Sequence, residues 1–501
     1  MGGIPMESGR RMDFTRLMST CSGVAKAREP VSCIGIMRLP LPARFVRRLQ
    51  FGMVALLVAG TASAGTYPVD SIADLQARIN TAAPGDIITL KNGVYATEKA
   101  ITVKCAGTAA QPITITAESV GGVELGGTHG FSVIKPAACV VIAGFRFTHA
   151  AGTTRIEAGT SRVRFTRNTF SCSGEGAYLE VTGDLAEVDR NEFRDKATLG
   201  NMISVTGTGS QVAKRLWIHH NYFHDFATAH GNGAETIRFG LSGLSMSTGD
   251  GLVEYNLFVR CTGGNELISN QSGGNTYRYN TFLDSPGAQL TLRHGNECLV
   301  YGNIFRGTDG LRIFGDRHQV FSNYFEGNTR GINLGNGDGE VADGAKLTSY
   351  DRPDYCVITF NTFIDNQVSY EMDARANGMG ATHTTFANNL IQGGGVVAKI
   401  DGPNTGAVWS GNLLWQTGEA GAMPASGFTT ADPLLVAGED GIKRLSAGSP
   451  AIDAATGDYP AVKVDMDGQP RPEKKDIGAD EFLEKPEPIR MLTVGDVGPG
   501  Q

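Results

Sequence analysis

The sequence predicts an all-β fold, a single-stranded right-handed parallel β-helix, and two observations carry that prediction. The first is a ladder. Ten times an Asn is followed two residues later by a large apolar residue that closes a short apolar run: RNTF (Asn168), RNEF (Asn191), HNYF (Asn221), YNLF (Asn256), YNTF (Asn280), GNIF (Asn303), SNYF (Asn323), FNTF (Asn361), NNLI (Asn389) and GNLL (Asn412). Successive copies lie 23, 30, 35, 24, 23, 20, 38, 28 and 23 residues apart, a unit of a little over twenty residues that tolerates insertions, and such a period marks a solenoid. The second is the character of the runs. Segments such as RLWIHHNYF (215–223) and GLVEYNLF (251–258) are rich in β-branched and aromatic residues and end in Gly, Asn or Asp, so each reads as strand then turn. No amphipathic helix recurs with the period, which argues against leucine-rich and helical repeats.

In such a fold each coil rises by about 4.8 Å, the Phe of one coil stacks on that of the next, and Asn amides bond coil to coil at the turn. Composition agrees, since 67 Gly and 41% hydrophobic residues suit a turn-dense β protein. A length of 501 residues would ordinarily suggest several domains. A solenoid escapes that rule because each coil needs only its neighbours.

Taken in order, residues 1–64 read as an upstream segment and an export signal. Arg44, Arg47 and Arg48 precede the apolar run Phe51–Val58 and then Ala62-Ser63-Ala64, the form of a secretory peptide cleaved after Ala64, with Met37 the expected true start. The run is far shorter than the roughly 20 residues that span a bilayer, so no membrane anchor is expected and the mature protein is placed in the periplasm or outside the cell. SIADLQARI (71–79) has Ile72, Leu75 and Ile79 on one face behind Ser71 and Asp74, a short capped helix expected to cover the first coil. The β-helix is expected over 65–420 and a Gly- and Pro-rich closing segment over 421–482. A loose tail is expected over 483–501.

Residues 1–64 carry nine Lys and Arg against three Asp and Glu, so their removal takes the net charge from −7 to −13. That balance excludes nucleic acid as a partner. A polyanionic ligand would need a local cationic strip instead. The six remaining cysteines, Cys105, Cys139, Cys172, Cys261, Cys298 and Cys356, contain no C-x-x-C pair and suggest no zinc site; disulfides and buried thiols both remain open. His219, His220 and His224 lie on a strand and turn, where their spacing makes no helical metal site. Arg278 and Arg306 read as ordinary surface charges, and Asn336–Gly339 as a turn.

Basic and polar residues recur on successive coils between Asn221 and Arg330: NGAETIRFG (232–240), NELISNQSGGNTYRYNTF (265–282), LTLRHGN (290–296), LRIFGDRH (311–318) and NTRGINLGNGDG (328–339). Equivalent points of consecutive coils are neighbours in space, so Arg238, Arg293, His294, Arg312, Arg317, His318 and Arg330 are expected to line one groove. Such a strip attracts a polyanion.

These motifs together resemble polysaccharide lyase family 6, the alginate lyases and chondroitinase B, over about residues 66–482. The resemblance implies a parallel β-helix and β-elimination on uronic-acid polymers. It also implies a Ca²⁺ that neutralises the C6 carboxylate, a Lys that takes the C5 proton and an Arg that assists at the leaving oxygen. Asn232 and Glu266 match calcium-ligand positions, Glu235 lies close enough to join them, and Arg293 matches the Arg. Two positions depart from the pattern. Gln271 stands where the family has its Lys, and Gly264 where many members have a second Glu. An amide accepts no proton, so an active enzyme would use His294, Tyr277, a water polarised by Gln271 or a base beside Arg293. GAQLTLRHGN and DGLRIFGDRH are similar to alginate lyase sequences, so an alginate lyase, monomeric and calcium-assisted, is the expected function. The alternatives are an impaired alginate-binding homologue, a dermatan sulfate lyase and a non-enzymatic adhesive β-helix.

Overall fold

Each turn of the chain lays one strand in each of three parallel sheets, in a fixed rotation. The computed structural model describes residues 64–229, 232–485 and 491–501, so the expected export signal lies outside the described residues apart from Ala64. The first and second sheets have 14 strands each and the third has 12, and within every sheet neighbouring strands come from successive coils. The chain is a parallel β-helix.

The ladder sits at the corner between the first and second sheets. All ten Asn are buried, and each Oδ1 from Asn191 to Asn412 accepts the backbone N–H of the ladder Asn one coil earlier at 2.9–3.1 Å. The corner is sharp. The residue before each ladder Asn has positive φ without exception, and at Gly302 and Gly411 it is glycine, the residue that adopts this conformation freely. Two residues on, nine Phe rings from Phe147 to Phe363 form a column with centroids 4.5–5.0 Å apart. A second amide series, not evident in the sequence, marks the next corner: Asn328 accepts from Thr308 N–H, and Asn366 from Asn328 N–H.

The expected helix spans Ile72–Ile79, capped by Ser71 accepting from Asp74 N–H at 3.1 Å, and buries Leu75 and Ile79. Its Gln76 bonds both backbone groups of Thr102, which lies on the outermost strand of the third sheet. An edge that would otherwise face water is thereby satisfied.

Residues 421–482, the expected closing segment, pack along the outside of the β-helix. After Phe428–Thr430 adds the last strand of the second sheet, the chain turns back along the outside. Ile442, Met466 and Ala479 pack on Ile304, Tyr324 and Ile364, and Val462 packs on Phe321 and Phe360. Residues 491–501, expected to be loose, also dock, with Leu492 and Val497 against Leu257 and Val259. The cause is a second sheet apolar on both faces, which must be covered on the outside as well. All six cysteines are free thiols, and Cys172, Cys261, Cys298 and Cys356 are buried.

Asp480 in this packed-back segment is buried, and its carboxylate accepts Leu445 N–H at 2.7 Å. Burial pushes its pKa up to about 7, with Asp467 and Asp465 adding to the rise. Because the folded pKa exceeds the unfolded value near 3.9, its contribution to stability is full at low pH and is lost as pH rises through 7. Asp480→Asn is expected to raise the melting temperature at pH 8 and leave it nearly unchanged at pH 4, measured by thermal melts at both.

Candidate active site

Strand alternation turns every second residue of the third sheet outward. In register, one per coil, these are Ser204, Arg238, Ser269, Thr291, Arg312, Asn333, Glu371 and Lys399. Their neighbours Ile237, Ile268, Leu290, Leu311 and Ile332 are buried and anchor the strands. The row sets two arginines among small hydroxyl residues and ends in an ion pair between Lys399 and Glu371 at 2.9 Å. Arg238 donates to Ser204 Oγ at 2.9 Å. Arg330 pairs with Glu371 at 2.6 Å and Asp373 at 3.3 Å.

Arg293 owes its position to a break in this register. Asn270 pairs with Leu292 but Gln271 pairs with His294, so Arg293 is the extra residue of a bulge, a device that re-aims a side chain. One of its Nη atoms lies 3.7 Å from Glu266 Oε2 and the other donates to the Tyr350 hydroxyl at 3.3 Å. Glu266 is 4% exposed, and its Oε2 makes no hydrogen bond. Burial raises its pKa and the nearby Glu235 raises it further, while Ser269, Arg293 and Arg312 act against the rise. Glu235, from the preceding coil, is held by Asn201 Nδ2 at 2.8 Å and by Gly233 N–H at 3.3 Å. Asn232 is exposed on the same loop. Gly264 lies against the Ala234 backbone, and the Glu235 charge acts on Glu266 from that same loop.

Gln271 and His294 are joined by Ser242, which lies between the ladder residues Asn221 and Asn256. The Ser242 hydroxyl donates to Gln271 Oε1 at 3.1 Å and lies 3.2 Å from His294 Nε2, and Gln271 Nε2 donates to Ser269 Oγ at 3.2 Å. His294 is 2% exposed, and burial, aided by Arg293, pushes its pKa down to about 4. It is therefore neutral near pH 7.

Three expectations are corrected. His318 is fully buried, its Nδ1 accepting Cys298 N–H and its Nε2 donating to the Phe314 carbonyl, so it staples two coils from inside. Arg317 stands at the following corner in left-handed backbone, paired with Glu297 at 2.9 Å and Asp316 at 3.7 Å, rather than among the groove arginines. Tyr277 is fully buried, its hydroxyl donating to Asn270 Oδ1, and no substrate reaches it. Arg278 and Arg306 pair with Glu254 and Glu326.

The groove also holds residues absent from the sequence reading. Tyr350 and Arg375 line a cleft of about 320 Å³ with Arg312, Phe314, Asn333 and Asp373. Tyr350 arrives on the insertion that makes the ladder interval before Asn361 the longest, and Ser242 on the one before Asn256. Interval length was the available signal for both. A larger cleft of about 470 Å³ beside the N-terminal helix contains none of these groups.

The family model described as Chondroitinase B matches residues 69–144 and 160–390, which contain every residue of this cluster except Lys399. The chain belongs to the chondroitinase B family. Among solved structures, this family member is similar to the PL6 family alginate lyase AlyGC, with 25% identity and a TM-score of 0.69 over 80% of this chain and 60% of that one. A mutant of AlyGC gives 25% and 0.68 over 76% and 55%. A mannuronic acid specific family 6 lyase from human gut microbiota shares the fold at 23% identity and a TM-score of 0.61, over 74% of this chain and 91% of that one. This family member thus spans a little over half the length of AlyGC. No curated protein matches it. Among the described residues no helix is long and apolar enough to cross a membrane.

Proposed function

We propose that this chain is an exported alginate lyase that cuts the 4-O-glycosidic bond by β-elimination, leaving a 4,5-unsaturated uronate end. The observation that carries the reading is the convergence of Arg293, Arg312, Glu266 and Glu235 from consecutive coils on one face of an acidic protein. Removing the C5 proton of a uronate is feasible only when the charge that develops on the C6 carboxylate is neutralised. Arg238 and Arg312 supply fixed positive charge along the groove for successive sugar carboxylates, while Arg330 is engaged by Glu371 and Asp373. Arg293, set by its bulge beside Glu266 and Tyr350, is the residue we assign to the leaving oxygen. The AlyGC likeness favours alginate over dermatan sulfate, and the groove on a single chain is consistent with action as a monomer.

The residues also fit a calcium ion. Glu266 presents a buried oxygen without a hydrogen bond, Glu235 stands beside it, and Asn232 lies on the adjoining loop; hard oxygen donors of this kind suit Ca²⁺. When bound, the ion supplies additional charge neutralisation at the uronate carboxylate. Asn201 orients Glu235, so Asn201→Ala is expected to lower calcium affinity by about 10–100-fold, measured by isothermal titration calorimetry.

A second reading has its own support, because both ends of the Gln271 amide are tied to serines and neither is free for proton transfer. In that reading the groove binds alginate without turning it over. Purified protein incubated with alginate, its separated block types and dermatan sulfate distinguishes the two through ultraviolet absorbance of the unsaturated product. Product from alginate is the expected result. Binding without product supports the second reading, and product from dermatan sulfate alone overturns the choice of substrate.

A further inference from the structure

We propose that Tyr350 is the proton-carrying catalytic residue, its phenolic oxygen taking the C5 proton and passing the phenolic proton to the oxygen that leaves C4. The inference rests on the lyase reading above. Among the described residues of the groove the other candidate bases are engaged or unsuited. Gln271 cannot accept a proton, and His294 is buried with its Nε2 against the Ser242 hydroxyl. Lys399 is paired with Glu371 and Asp401, and Glu266 faces Arg293.

Tyr350 is partly exposed, lines the cleft and is held from two directions. Its backbone N–H donates to Asp338 Oδ1 at 2.8 Å, its carbonyl accepts Asp338 N–H at 2.8 Å, and Asp338 is fixed in turn by Arg375. Its hydroxyl accepts from Arg293 at 3.3 Å. The guanidinium carbons of Arg375, Arg293 and Arg312 lie 4.7, 5.6 and 5.8 Å from the ring centroid, and the His294 ring lies 5.9 Å away. Asp373 shares the cleft. A phenol oxygen next to the arginine assigned to the leaving oxygen is placed to serve both ends of the elimination.

The step balances. The Tyr350 oxygen takes the proton from C5, and the C5–H electron pair forms the C4–C5 double bond. The C4–O bond breaks with its pair going to the leaving oxygen, which takes the phenolic proton of Tyr350, so the phenol is restored. The surrounding guanidiniums neutralise negative charge as it passes between these oxygens.

The test uses steady-state kinetics of the full chain on alginate, with thermal melts as a folding control. Tyr350→Phe is expected to lower kcat by about 10²–10⁴-fold and to leave KM nearly unchanged. Tyr350→His keeps a ring that can relay a proton and is expected to recover part of that kcat; should the Phe variant fail to fold, the kcat of the His variant decides. Wild-type kcat in the Phe variant, a loss carried by KM, or a folded His variant with no product above background each overturns the proposal. A wild-type protein that releases no product from any polyuronate overturns the lyase reading itself, a failure seen before any variant is made.

Discussion

Arg293→Ala is expected to lower kcat/KM on alginate by about 10²–10⁴-fold, the range for loss of a group that handles charge or a proton in the transition state. The side chain is 23% exposed and lies between Glu266 and Tyr350, so its removal withdraws positive charge from both. The strand pairing on either side of the bulge does not depend on the guanidinium, and the melting temperature is expected to change little. Arg293→Lys keeps the charge but loses the planar fork, and is expected to recover only part of the activity. Initial rates of unsaturated product with each variant measure this. Activity of the Ala variant within a few-fold of wild type would remove Arg293 from the reaction.

Asn280→Leu is expected to produce a large loss of stability. The Asn280 amide oxygen accepts from the N–H and the side chain of Asn256, and its nitrogen donates to the carbonyls of Val253 and Arg278 and to Asn303. Leu keeps the volume and removes all five bonds. Each buried backbone group left without a partner costs about 1–3 kcal/mol, so a total on the order of 2–6 kcal/mol follows from two such groups. Replacing a stacked ring, as in Phe282→Ala, has a comparable cost of about 3–5 kcal/mol from cavity formation. Denaturant unfolding followed by circular dichroism compares the two. An unchanged unfolding curve for Asn280→Leu would show that the ladder sets register without adding stability.

The ladder and the Phe column were legible in the sequence because they repeat, and a repeat in the chain becomes a row in space. The groove arginines Arg238 and Arg312 were legible for the same reason, since they occupy one register row. Legibility failed where the period fails. Ser242 and Tyr350 belong to insertions between strands, where no spacing says which neighbour they will meet. His318 and Arg317 lie at a corner, where alternation no longer dictates which way a side chain turns. The docking of residues 491–501 was hidden because Leu257 and Val259 face outward from a strand whose other face is already core.

That docking changes how the molecule should come apart. Leu492 N–H bonds to the Thr281 hydroxyl, 211 positions earlier in the chain, and Gly498 N–H bonds to the His220 carbonyl. An array of repeats joined only to adjacent repeats can fray from its last member inward. Here the end of the polypeptide is buckled to the middle like a strap, so peeling the final winds first requires the strap to be released. Unfolding in a single concerted event, rather than by progressive unzipping, is the behaviour this closure favours.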